Sequence, residues 1–599
     1  MREFSVPPVA TVPDSDNVPA TVFRRAEEEP HTVALRRKDG AGWRDITCAE
    51  FRDDVTALAK GLIAAGVGPG DRVALVSRTR YEWTLSDYAI LATGAIVVPI
   101  YETSSAEQIE WIAGDSGLVL AIVETTAHAD LFSSVRDRLP ALTAVHVIED
   151  GGLDDLKRRA GEVDDETFAD RRGARVAADL ATIVYTSGTT GKPKGCELTH
   201  ANLLGDVRNA VEGALTQVFT IRGGSTLLFL PLAHVFARII EIGCIEAGTV
   251  LGHSSEVSNL LPDLDSFRPS FILAVPRVFE KVYNGAEQKA TAEGKGKIFH
   301  IAADAAIAYS KALDSGSPAL GLRLKHALFD KLVYGKLRAA IGGRVEYAVS
   351  GGAALGDRLG HFFRGVGITI LEGYGLTETT AAVSVNLPNH NKIGTVGRPL
   401  PGCSVRVGDD GELLFRGPNI FGGYWNNEKA TKEMLQDDGW LRSGDLGSVD
   451  DDGFITVTGR KKELIVTAGG KNVAPAVLED RLRAHPLISQ CMVVGDGRPF
   501  IACLITLDEE ALEFWKTQHN KPADLGPADL REDPDVIAEV EAAVADANKA
   551  VSHAEAIKKF RILPVDFTEE GGHMTPSLKV KRAIVAKDFA GDIDEIYAR

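Results

Sequence analysis

The sequence predicts an α/β protein with two parallel-sheet lobes, a small β subdomain and a compact α+β unit at its C-terminal end. Three observations carry that prediction. Short apolar runs alternate with helix-length text from residue 72 to 124 and again from 227 to 350. After Gly394 the texture shifts to short strands joined by Asp-Gly turns, and beyond Arg460 helix and strand signals mix in a stretch long enough for its own core. With 599 residues the chain is too long for one hydrophobic core.

In order along the chain, Arg72–Ser77 reads as a buried strand, followed by a helix from Tyr81, a strand at Ile96–Ile100, a helix from Ala106 and a strand at Leu118–Glu124. Strands separated by helices pair in parallel through right-handed crossovers. Val145–Ile148 adds a strand, and Glu149–Asp179, rich in Gly, Asp, Glu and Arg, reads as a linker between lobes. The second lobe holds strand-like LLFLPLA from Leu227 and SFILAVP from Ser270, then a long helical region from Glu280 to about Ile341. Asp410-Gly411 and Asp452-Gly453 mark two hairpins. The last unit predicts a helix at Pro475–Arg483, strands at Cys491–Val494 and Phe500–Leu507, and a final strand near Ile562. Between them, Asp533 and Pro534 suit the N-cap and first turn of a helix whose buried face is Val536, Val540, Val544, Ala547 and Val551.

Composition narrows the function. A formal net charge of −18 repels polyphosphate backbones, so no nucleic-acid partner is expected and any anionic substrate needs a local basic cluster. The six cysteines are widely spaced, without a CxxC pair or metal-ligand histidines, and read as reduced thiols. The first residues lack a cationic head and apolar run, and the longest apolar stretch, Tyr88–Tyr101, is too short to span a bilayer. A cytoplasmic protein without a transmembrane segment is expected, with peripheral membrane contact left open, as either a monomer or a homodimer.

The strand-like Ala181–Tyr185 runs into Thr186, Ser187, Gly188, Thr189, Thr190, Gly191, Lys192, Pro193, Lys194 and Gly195. Glycines let backbone N–H groups approach phosphate oxygens, hydroxyls add donors, and lysine adds charge. The Walker pattern is excluded, because Pro193 follows the lysine and only two residues separate the glycines. The string YTSGTTGKPKG resembles the signature of the AMP-forming adenylate family, which includes acyl-CoA synthetases, firefly-type luciferases and adenylation domains. The resemblance continues through FLPLAHVF, VSGGAAL, GYGLTET, GWLRSGDLG, TGRKKELIVTAGGKNVAP and TPSLKVKR, and spans about two thirds of the chain.

That resemblance implies a large N-terminal domain of three subdomains, residues 1–459, and a small mobile C-terminal domain, residues 460–599. It implies ATP, Mg²⁺ and coenzyme A as ligands, with Ser187, Gly188, Thr189, Thr190 and Lys192 around the phosphates. Thr377 supplies a hydroxyl to phosphate, and Glu378 with Thr186 holds the metal through hard oxygens. Gly351, Gly352 and Ala353 leave room for adenine beside the Tyr374 ring. Asp445 accepts from the ribose hydroxyls, and Arg460 binds the sugar or the phosphate. Lys579 bridges the attacking carboxylate and the α-phosphate, although Lys581 lies two residues away and Leu578 stands where a glycine is commoner. Lys462 is the hinge, and rotation there brings Ala468, Gly469, Gly470 and Lys471 to line the thiol's approach. His234 is either a contact to the acyl carboxylate or a core histidine, and Arg277 and Lys281 are either contacts to CoA phosphates or one mixed-charge helix face.

The expected reaction is in-line attack of a carboxylate on the α-phosphate of Mg-ATP, then attack of the CoA sulfur on the acyl-adenylate. PRVFEKVY, the long helical region, AGGKNVAP and TPSLKVKR resemble long-chain fatty acyl-CoA synthetases most. A ligase that loads a carrier-protein phosphopantetheine, a medium-chain or aryl acyl-CoA synthetase, and a nucleotide-responsive binding protein are the alternatives.

Overall fold

Strands Arg72–Val76, Ile96–Ile100 and Leu118–Val123 carry almost no polar side chains because helices cover both faces of their sheet. In the computed structural model, which describes residues 2–40, 42–186, 192–569, 571–575 and 579–598, these strands pair in parallel. The sheet has seven strands, in the order Gly423–Tyr424, Lys194–Thr199, Leu180–Thr186, Ile96–Ile100, Arg72–Val76, Leu118–Val123 and Ala144–Val147. The first two pairings in that order are antiparallel. Thr186 and Lys194 face each other where the third strand turns back into the second.

A second sheet of nine strands has Phe271–Ala274, Tyr347–Ser350 and Thr369–Tyr374 in parallel at its centre. Its far edge is an N-terminal hairpin, Val33–Asp39 with Gly42–Thr47, that periodicity did not predict. Between the two sheets lies the helix Tyr81–Ala92, buried at every residue, against the helix Val235–Ala247. Arg238 joins them: Nε donates to Asp87 at 3.0 Å, Nη2 to the other Asp87 oxygen at 2.5 Å, and Nη1 to Thr182 Oγ1 at 2.6 Å. All of this is sealed from solvent. Burial, joined by the Asp87 charge, pushes the neighbouring Glu241 carboxyl well above its ordinary range.

The third sheet, of five strands, contains both predicted hairpins, Ser404–Val407 with Glu412–Arg416 and Leu441–Val449 with Ile455–Arg460. Its edge strand is Arg2–Ser5, which pairs with Ser404–Val407. The C-terminal unit has a three-stranded sheet, Ile488–Val494, Ile501–Leu507 and Ile557–Ile562, and a short hairpin of Ile465–Val466 with Asn472–Val473. Its own core gathers Leu478, Leu482, Ile505, Trp515, Val536 and Val540.

The fold class read from the sequence stands, with local corrections. Residues 149–179 are no linker: they form helices Gly152–Arg158 and Asp165–Gly173, with Leu153, Leu156 and Phe168 buried. The run LLFLPLA is a strand only to Leu228. The long helical region is several helices, chiefly Pro276–Ala292, Gly296–Asp314 and Leu320–Phe329. Asp533 caps the helix Pro534–Ala547 as predicted, but Val551 lies beyond its end.

Candidate functional site

The C-terminal edges of these sheets and the C-terminal unit enclose one cavity of about 1080 Å³, large enough for a nucleotide with an acyl chain. Thr186, Lys194, His234, Gly351, Gly352, Tyr374, Thr377, Glu378, Asp445, Arg460, Lys462, Lys579 and Lys581 all border it. Residues drawn from one end of the sequence to the other therefore meet in a single space.

Strand pairing positions the ribose-side candidates. Asp445 sits directly opposite Arg460 in its hairpin, and Arg460 Nε lies 3.2 Å from one carboxylate oxygen. The Tyr374 hydroxyl donates to the other oxygen. Burial lifts the Asp445 carboxyl above its ordinary range against the pull of Arg460. Each oxygen keeps a lone pair for a further donor, which suits a pair of vicinal hydroxyls. Tyr374 leans on Phe415 with centroids 5.5 Å apart, so its ring is fixed from behind. At Gly351 an added Cβ would meet the Phe236 ring at 3.2 Å and the Gly373 carbonyl at 3.4 Å, so only glycine leaves this wall flat.

The phosphate-side groups are held more loosely. Glu378 lies on a 3₁₀ turn, Thr377–Thr379, directly after the strand Thr369–Tyr374. Its carboxylate accepts from the Tyr424 hydroxyl at 2.5 Å, and the Lys194 ammonium sits 4.9 Å over the Tyr424 ring. Among the described residues, the hydrogen bond of Thr186 Oγ1 is a long one, 3.5 Å to the Lys194 carbonyl. Thr186 and Glu378 thus offer hard oxygen donors to one space, a set that fits a magnesium ion carried by a triphosphate. Lys192 rests 4.1 Å over the Trp111 ring, whose Nε1 donates to the Pro193 carbonyl at 2.8 Å. Ser187, Gly188, Thr189 and Thr190 lie outside the described residues.

Lys579 borders the cavity and is tied to Thr575, whose N–H donates to the Lys579 carbonyl at 2.8 Å and whose Oγ1 accepts the Lys579 N–H at 3.0 Å. Much of the side chain borders the open cavity, yet protein surrounds that space closely. This burial, with the Arg460 guanidinium, lowers its pKa, while Asp445 and Glu378 act in the opposite direction. His234 caps the helix Val235–Ala247: its Nδ1 accepts the Phe236 N–H at 3.2 Å, leaving Nε2 to carry the proton. Burial, aided by Lys579, brings its pKa down to about 4, so it is a neutral donor at pH 7.

Other candidates lie elsewhere. Ala353 is exposed and does not border the cavity. Gly469, Gly470 and Lys471 form the turn of the Ile465–Val473 hairpin, where Gly470 has φ +76° and Lys471 pairs with Glu555 at 3.3 Å, away from the cavity. Arg277 pairs with Asp508 at 2.5 Å and Lys281 with Glu510 at 3.5 Å, so both bind the C-terminal unit.

Sequence reasoning missed Tyr424 and an apolar arm of the same cavity. That arm is walled by Val207, Ala210, Val211, Phe219, Ile239 and Gly243, on the helices His200–Asn209, Thr216–Phe219 and Val235–Ala247 and the π-helical turn Ala210–Ala214. Nothing in an apolar run tells a tunnel wall from a core, so no local signal existed for it.

Two family models match this chain: AMP-binding enzyme over residues 22–425 and AMP-binding enzyme C-terminal domain over residues 462–599. A long-chain-fatty-acid–CoA ligase, FadD15, of Mycobacterium bovis is 55% identical over all of both chains. FadD15 of Mycobacterium tuberculosis is 54% identical, again over all of both chains. Among solved structures, O-succinylbenzoate coenzyme A synthetase from Bacillus subtilis, in complex with ATP and magnesium ion, has a TM-score of 0.67 at 20% identity. It covers 94% of this chain and 98% of its own.

Proposed function

The chain belongs to the AMP-binding enzyme family, and on that premise we propose that it ligates a long-chain fatty acid to coenzyme A through an acyl-adenylate, consuming ATP. One observation carries this reading: a single cavity joins a charged end, where Lys579 meets Arg460, Asp445 and Glu378, to an apolar arm between two helices. A fatty carboxylate placed with its chain in the arm presents its head to that charged end. Its full-length likeness to mycobacterial long-chain-fatty-acid–CoA ligases supports the same substrate class.

In the first step a carboxylate oxygen attacks the α-phosphorus, the bond to the bridging oxygen breaks, and pyrophosphate leaves with the electron pair. Lys579 holds the carboxylate and an α-phosphate oxygen together and offsets the charge that builds there. His234 donates through Nε2–H to the same region. Asp445 takes the ribose hydroxyls, and Gly351 and Gly352 admit the base beside Tyr374. Thr186 and Glu378 would hold a magnesium ion, which would neutralise charge on the triphosphate, and Thr377 would donate to a phosphate oxygen. In the second step the CoA sulfur attacks the acyl carbon, and AMP leaves. We set the domain boundary between Gly459 and Arg460, with Lys462 as the pivot that exchanges Lys579 for Gly469, Gly470 and Lys471. The six cysteines, all free and buried, support a reducing compartment and hence a cytoplasmic reading.

Pyrophosphate release measured across fatty acids from short to very long, followed by thioester formation with CoA or a carrier protein, tests the reading. Long-chain acids should drive pyrophosphate release, and CoA should be the acceptor. Transfer to a carrier protein alone, or no acid-dependent pyrophosphate, overturns it. Lys579→Ala should slow adenylation roughly a hundred- to a thousandfold while sparing thioester formation from supplied acyl-AMP.

A further inference from the structure

The helix Leu320–Phe329 and the π-helical turn after it, Asp330–Tyr334, are apolar on two sides. The inner side, with Phe329 and Tyr334 buried, packs into the second lobe. Leu320, Leu324, Leu328 and Leu332 recur every four residues on the outer side and are exposed by 72%, 65%, 57% and 53%. Scattered surface leucines are ordinary, but four in one row form a continuous apolar strip.

The charge around that strip identifies its partner. Residues 319–340 contain five basic residues, Arg323, Lys325, Lys331, Lys336 and Arg338, against one acidic residue, Asp330, in a chain whose net charge is −18. Asp330 is taken by Arg338 at 2.7 Å. Lys325 and Lys331 stand exposed among the leucines, and among the described residues neither has an ion-pair partner. A second copy of the chain would set lysine against lysine across a two-fold axis. Anionic headgroups above an acyl layer match both the leucines and the lysines. The strip is separate from the cavity, none of whose bordering residues falls between 276 and 340.

We infer that this face, Leu320, Leu324, Leu328 and Leu332 with Lys325 and Lys331, docks the protein on the surface of an anionic lipid bilayer. No helix among the described residues is long and apolar enough to cross a membrane, so attachment here is by the outer side of one helix lying flat.

Flotation of the full chain with vesicles of phosphatidylcholine alone, or with about a third phosphatidylglycerol, provides the test. Wild type should bind the anionic vesicles at least tenfold more strongly than the neutral ones, and raised salt should release it. Leu324→Ser with Leu328→Ser, and separately Lys325→Glu with Lys331→Glu, should each lower anionic-vesicle binding about tenfold. Both variants should keep wild-type melting temperature and wild-type turnover of a short, water-soluble acid. The charge-reversal pair alters no packed residue and serves as the control if the serine pair loses stability. Wild type that ignores anionic vesicles, variants that bind as wild type does, or a strip whose mutation instead dissociates a dimer in light scattering each overturn the inference.

Discussion

Tyr424 shows how a single hydroxyl sets a carboxylate. It donates to Glu378 across 46 residues of sequence, while the Lys194 ammonium lies over its ring and Phe421 packs against the ring edge-on at 5.0 Å. A hydrogen bond to a charged group contributes about 1.5–3 kcal/mol. Tyr424→Phe should therefore lower kcat/KM for ATP roughly ten- to a hundredfold, with the loss shrinking as magnesium is raised; pyrophosphate release at several magnesium concentrations measures it. An unchanged magnesium dependence would mean that Glu378 keeps its place without the hydroxyl. Arg238 is the structural counterpart. Arg238→Met alone leaves Asp87 buried and unpaired and should cost about 3–5 kcal/mol in urea unfolding, whereas Arg238→Met with Asp87→Leu should restore much of that. Residues such as Thr186, Glu378, Asp445 and Lys579 were legible because each sits in a short motif. Tyr424 was not, because its role arises from a two-residue strand that pairs with Lys194–Thr199, a tertiary fact.

Elements explain the other omissions. Residues 149–179 have too few apolar side chains to show a helical period, and what settles them is contact: at Gly61 an added Cβ would come within 2.1 Å of the Leu156 carbonyl oxygen, so two helices touch backbone to backbone there. Glycine on one helix is the cue for a partner that charge and composition hide. A second glycine shapes the apolar arm. At Gly243 an added Cβ would stand 3.2 Å from the Phe219 ring, so a larger side chain must enter the arm or displace that ring. Gly243→Leu should lower kcat/KM for the longest acids about tenfold or more and leave short acids nearly untouched. A chain-length series would read this directly, and uniform loss over all lengths would place the arm elsewhere. Strand and helix positions flanking the arm were readable from periodicity; the hollow between them was not, since hydrophobic pattern reports burial and is silent about what fills the space.

For the whole molecule, the seam between the C-terminal unit and the second lobe is charged. Arg277–Asp508 and Lys281–Glu510 cross it, and Glu372 faces Asp480 there. Burial pushes Glu372 from an ordinary 4.5 up to about 7, with the Leu355 N–H opposing and Asp357 and Asp480 adding to the rise. Burial likewise lifts Asp480 to about 6 against Arg483, with Glu479 and Glu280 contributing. A carboxyl whose folded pKa is raised stabilises the docked state fully below about pH 4.5, and that contribution is lost as pH climbs through about 7. Melting temperature should therefore fall between about pH 4.5 and 7, and Glu372→Gln should flatten that slope, by on the order of 1 kcal/mol given its partial exposure. An identical slope in Glu372→Gln would move the effect to other groups. The two-part layout was legible from the change of texture after Arg460, but which side chains cross the seam depended on how the parts meet.

The pairing of Arg2–Ser5 with Ser404–Val407 has a consequence for biosynthesis. This strand waits for a neighbour about 400 residues later, so its edge stays bare until that neighbour has left the ribosome. Nascent chains halted before that point should display an open β edge to chaperones, and a bulky fusion placed ahead of residue 2 would burden a seam that can zip shut only late.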